Sequence, residues 1–158
     1  MARVVDLKTQ GPVKLSKHAL RIYRIGLYVY AHEFYDIAKK TRKSVVKSYL
    51  LGHAMELYLK SYLMKQGYAI KQLKTKKYGH NITNLLKACV KKGLGNHLHI
   101  SDELTAAVEA FSSSYADKAY EYFPFWLFLF QKSPPDTRRL SRFAKQLDSK
   151  LGNIIKED

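Results

Sequence analysis

Residues 44–66 read SVVKSYLLGHAMELYLKSYLMKQ, the longest run in the chain with one helical period and also the most apolar. At about 100° per residue, Val46, Leu50, Ala54, Leu57, Ser61 and Met64 share one side, while Gly52, Met55, Leu59 and Leu63 share the other. A helix that is apolar nearly all round belongs in the middle of a bundle. Between the two apolar sides runs a narrow row of Tyr49, His53, Glu56 and Lys60, spaced by three and four residues so that they line up along the axis. Ionisable groups enclosed in this way need partners or a task, because burying an unpaired charge is costly.

Working outward, Ser16 is an N-cap for a preceding helix that runs to about Lys40, with Leu20, Tyr23, Leu27, Tyr30, Phe34 and Ile37 as its core-facing stripe. The cluster KKTRK at 39–43 marks the turn into the central helix, and Gly67 suits a left-handed cap at its end. A basic loop follows, KQLKTKKYGH at 71–80. Asn81 then caps a short helix carrying Ile82, Leu85, Leu86, Cys89 and Val90 on one face, stopped by Gly93. After the turn GLGNHLHI, Ser101 caps a helix through Leu104, Val108, Phe111 and Tyr115, with Asp102 and Glu103 favourably placed at the positive end of its dipole. The aromatic stretch from Ala116 to Phe130, interrupted by Pro124, reads as a kinked helix. Prolines at 134–135 open a last helix with Leu140, Phe143, Leu147, Leu151 and Ile154 as its buried stripe. No alternating strand pattern of useful length is present, so the chain reads as all-α, five or six helices around one core.

The 158 residues fit one domain, with residues 1–15 as a flexible arm containing Gly11-Pro12. A single cysteine, Cys89, excludes an internal disulfide framework, and its place on an apolar stripe makes it a core residue. The N-terminal residues lack the apolar run of a signal peptide, and the apolar run YEYFPFWLFLF is too short to span a bilayer, so a cytoplasmic protein without a membrane partner is expected. Lys and Arg total 28 against 13 Asp and Glu, a formal net charge of +15. Such a balance favours polyanions, nucleic acid first among them, through phosphate contact and counterion release. The bland alternative is a domain whose lysines simply keep it dispersed. No glycine-rich phosphate loop occurs, and neither His53 with Glu56 nor His97 with His99 completes a metal-ligand set, so no cofactor and no metal are expected.

The segments GHAMELYLKSYLMKQGY (52–68) and YGHNITNLLKAC (78–89) carry a further pattern: E-L-x-L-K-x-x-L, a glycine, a loop, then G-H-N opening the next helix. In these letters the chain resembles the HEPN superfamily. The resemblance implies an up-and-down four- to five-helix bundle, HEPN-like over residues 1–158, often a homodimer, found among RNA-cleaving toxins, nucleotidyltransferase companions and defence systems. The family's nucleases place an arginine five to seven residues before a histidine on one helix. No arginine here stands at that distance from any histidine.

These readings give three hypotheses. The first is a non-enzymatic module that binds RNA or a nucleotide through a basic face, working with a toxin, antitoxin or nucleotidyltransferase partner. Its ligand-binding candidates are Tyr49, His53, Glu56, Lys60, His80 and Asn81, and its nucleic-acid candidates are Lys74, Lys76, Lys77, Arg138, Arg139 and Arg142. The second is a divergent, metal-independent ribonuclease with His53 or His80 as general base and Lys60 stabilising phosphate charge. The third is a purely structural interaction partner, in which Glu56 and Lys60 form a buried pair that fixes helix packing.

Overall fold

The computed structural model describes residues 15–118 and 137–157, and within them every regular element is helical. In chain order these are α1 (Lys17–Lys40), α2 (Ser44–Lys65), α3 (Ile70–Leu73), α4 (Ile82–Lys91), a 3-10 turn (Leu94–Asn96), α5 (Asp102–Ala116) and α6 (Thr137–Lys156). Ser16, Asn81 and Ser101 cap α1, α4 and α5 as their side chains suggest, each accepting a backbone N–H three residues on. Gly67 has φ +88°, the left-handed geometry that ends α2. No helix among the described residues is long and apolar enough to cross a membrane. The expected kinked helix and most of the aromatic stretch, the arm up to residue 14 and the proline start of the last helix lie outside the described residues.

α2 occupies the centre, touching α1, α4, α5 and α6. Leu51, Met55, Tyr58, Leu59, Tyr62 and Leu63 are fully or almost fully enclosed, which is what an all-round apolar helix requires. α1 runs antiparallel to α2, with Ser61 donating to the Arg24 carbonyl at 2.8 Å. α6 also runs antiparallel to α1, since Arg21 reaches the carbonyl of Lys156 while Tyr28 and His32 reach Asp148. Contacts from Glu56 to His80 and from Tyr62 to Lys92 show α4 running in the same direction as α2. The helices therefore depart from strict up-and-down alternation. The segment between α2 and α4 carries the chain back, anchored by buried Leu73 and by Tyr68 packed edge-on against Tyr78 at 5.9 Å.

Expected faces on four helices need correction. On α1 the buried residues are Ala31, Tyr35 and Ala38, whereas Leu20, Tyr23, Tyr30 and Ile37 are exposed and Leu27 and Phe34 half-buried. Two alanines let α1 approach its neighbours closely, and Tyr28 and Tyr35 turn inward, so the strongest apolar seam is left outside. Val46 on α2 and Val90 on α4 are likewise exposed, each near a helix end where the packed face has run out. At the end of α6, Ile155 is the buried residue and Ile154 only partly so, because the α-helical period has drifted from a strict three-four step.

Candidate functional site

Glu56 lies at the crossing of α2, α4 and α5 with its side chain only 3% exposed. One carboxylate oxygen accepts from Lys60 Nζ at 2.5 Å, and the other from His80 Nδ1 at 3.0 Å and Tyr115 OH at 2.8 Å. Full coordination by donors is what makes a carboxylate tolerable in such a place. The row along α2 thus does meet the histidine that precedes α4, with Glu56 as the bridge. Because an ionised carboxylate can only accept, the His80 proton sits on Nδ1 of this half-exposed imidazole, which puts the lone pair of the neutral ring on Nε2.

His53, one turn earlier, is held differently. Its Nδ1 donates to the Tyr115 hydroxyl oxygen at 3.2 Å, while Phe34 meets its ring edge-on at 4.4 Å and Tyr49 stacks parallel at 6.0 Å. Aromatic walls on two sides make His53 a packing element. Asn81 uses its side-chain carbonyl to cap α4 through the Asn84 N–H. Gly52 allows this assembly, since a Cβ there would lie 2.5 Å from the Tyr115 ring and 2.9 Å from Phe111. Among the described residues no group of three or more His, Cys, Asp or Glu side chains is gathered as a metal site would need. Burial pushes the Cys89 thiol well above its ordinary range, so it stays protonated and unreactive inside the core.

A second polar assembly ties α1, α2 and α6. Asp148 accepts from Tyr58 OH at 2.6 Å and from His32 Nδ1 at 2.7 Å, while its own carbonyl accepts from Tyr28 OH at 2.8 Å. Burial first, and then the hydrogen bond and charge of Asp148, raise the Tyr58 phenol far above its usual range. This phenol is therefore a permanent donor at any ordinary pH.

Cationic groups converge at the other end of α6. Lys47, Arg138, Arg142 and Lys145, with Thr137, Ser141 and Tyr35, line a cavity of about 230 Å³. On α6 the stripe 138, 141, 142 and 145 faces one way, as i, i+3, i+4 and i+7 spacing dictates. None of the described lining residues is acidic. Of the described acids on neighbouring turns, Asp36 pairs with Lys39 and Asp148 accepts from Tyr58 and His32, and the charge of each acts on Tyr35 in the lining. Arg138 and Arg142 thus meet at one site, whereas Arg139 is exposed outside that lining, and Lys74, Lys76 and Lys77 are exposed on the turn before His80. Sequence reasoning missed Lys47, Tyr35, Thr137 and Ser141, while helical spacing sets Lys145 beside the three arginines as a cation that could follow a phosphate backbone. Lys47 sits some ninety residues away in sequence and no local pattern joins it to α6. Tyr115 reads from the sequence as a packing or base-stacking aromatic, with no sign of its bond to Glu56. No family model matches this chain, and it matches no curated protein and no solved structure.

Proposed function

We propose that this protein is a HEPN-like helical module that binds RNA or a nucleotide by its phosphates, in the cytoplasm and beside a toxin, antitoxin or nucleotidyltransferase partner. The observation that carries this reading is the cavity at the start of α6, where four cationic side chains from two helices converge with no described acid among the lining. Arginine forks and lysine point charges in such a concave setting suit phosphate oxygens. Fluorescence anisotropy with a labelled single-stranded RNA tests it. Lys47→Ala and Arg142→Ala are expected to weaken binding by about tenfold each, the scale of one charged hydrogen bond. Unchanged affinity in both variants would remove the cavity from the binding surface.

A homodimer forms part of the proposal. It is supported by the α1 seam of Leu20, Tyr23, Tyr30 and Ile37, exposed at steps of three and seven residues that keep them on one side of the helix, as in helix-to-helix packing. Tyr30→Glu is expected to turn a dimer into a monomer in light scattering without lowering the melting temperature of the subunit. A wild-type monomer at high micromolar concentration would contradict the pairing.

A second reading has one observation in its favour, the half-exposed imidazole of His80 held through Nδ1 by a buried carboxylate. That is the arrangement of a general base, which here would take the proton of a ribose 2′-hydroxyl as its oxygen attacks the adjacent phosphorus. Water protonates the departing 5′-oxygen, leaving a 2′,3′-cyclic phosphate. Lys60 bonds to Glu56 and His53 to Tyr115, so among the three candidates His80 is the one this reading leans on. Cyclic-phosphate ends produced by wild type and not by His80→Ala would support it, and their absence with pure wild-type protein would sink it.

A further inference from the structure

We infer that the cavity between α2 and α6 seats a terminal phosphomonoester, the doubly charged end of an RNA or of a nucleotide. This deepens the phosphate-binding reading and rests on it. Three features separate an end from a passing strand. The cationic groups converge from two helices on one concavity, Lys47 from α2 and Arg138, Arg142 and Lys145 from α6, with Tyr35 of α1 as a further wall. A strand running past can be served by cations of one element, as Lys74, Lys76 and Lys77 stand on one turn, whereas here a lysine of α2 faces three cations of α6. Second, the described lining holds four cationic side chains and no acidic one. An internal phosphodiester brings one negative charge, whereas a terminal phosphate brings about 1.5 to 2 together with three acceptor oxygens. The charges of Asp36 and Asp148 reach the Tyr35 wall, the first paired with Lys39 and the second hydrogen-bonded by Tyr58 and His32, and the four cations of the lining outnumber them.

Third, the size is right for a head group. At about 230 Å³ the cavity lies below the roughly 300–1,000 Å³ of sites that enclose a whole drug-sized ligand. A phosphate with part of its ribose fits, and the base is left outside. Thr137 and Ser141, four residues apart on α6, add neutral hydroxyl donors on the same face as the arginines.

The test compares one short RNA carrying either a 5′-phosphate or a 5′-hydroxyl by anisotropy, and 5′-AMP against adenosine by calorimetry, all with the full chain. Wild type is expected to prefer the phosphorylated RNA by about tenfold or more, one extra charged hydrogen bond being worth that much. In Lys47→Ala and in Arg142→Ala the ratio is expected to fall toward one, even as overall affinity drops. A preference in the RNA arm assigns the polynucleotide end, and a preference for 5′-AMP alone assigns the free nucleotide. Equal, salt-sensitive binding of both RNAs without discrimination of 5′-AMP would overturn the inference and leave the broader RNA-binding reading standing. No RNA or nucleotide binding at all would remove both.

Discussion

Glu56 is tolerated in the core because three donors from three elements converge on it: Lys60 of its own helix, His80 before α4 and Tyr115 on α5. Removing the carboxylate strands Lys60, which is 14% exposed, and takes from the Tyr115 hydroxyl the acceptor it donates to. Loss of one partner from a buried ion pair costs about 3–5 kcal/mol. Glu56→Ala is therefore expected to cost about 3 kcal/mol in a denaturant melt, and a loss of under about half a unit, as exposed pairs give, would show that the row is solvated. Tyr58 permits a test with pH. Its native phenol is held protonated well above the ordinary value of 10.0, so as pH rises past 10 the unfolded chain releases a proton that the folded chain keeps, and stability falls. Tyr58→Phe lacks this term. Its penalty relative to wild type is expected to shrink above pH 10 by about 1.4 kcal/mol per pH unit, and a penalty independent of pH would refute the raised phenol.

At the scale of elements, the approach of α5 to α2 depends on Gly52. A methyl group there meets Tyr115 and Phe111 well inside contact distance. Alanine is the better helix former by about 1 kcal/mol, yet Gly52→Ala is expected to lower stability by about 1–3 kcal/mol through overpacking. Stabilisation in a thermal melt would mean that α5 does not press on this face. Much of this arrangement was legible beforehand. The polar row on α2 showed itself because ionisable residues recurred at helical steps inside an apolar helix, and His80 because it opened a capped helix just after a basic loop. Tyr115 was hidden, since an aromatic at a core position has the same spacing whether or not its hydroxyl serves a carboxylate. The face of α1 was misjudged for a related reason: its outward seam is more apolar than its inward one, where alanines and tyrosines do the packing. Periodicity finds the seams but does not say which of two adjacent ones meets the core.

For the whole molecule, the net charge of +15 and the α6 cavity give a physical basis for phosphate recognition. Charge alone is compatible with a merely dispersed protein, and what distinguishes a binding surface is that its cations release counterions when phosphates dock. For single-stranded nucleic acid the logarithm of affinity falls with the logarithm of salt at about 0.7 per phosphate neutralised. The most direct measurement is the affinity for a single-stranded RNA titrated across salt concentrations, for wild type and for Lys47→Ala combined with Arg142→Ala. The expected result is a wild-type slope steeper than about −2, as the phosphate in the cavity together with contacts along the rest of the basic surface requires, made shallower by about 0.7 in the double variant, the share of the one phosphate seated there. A slope near zero, or one that the double variant leaves untouched, would contradict recognition of phosphate by this cavity.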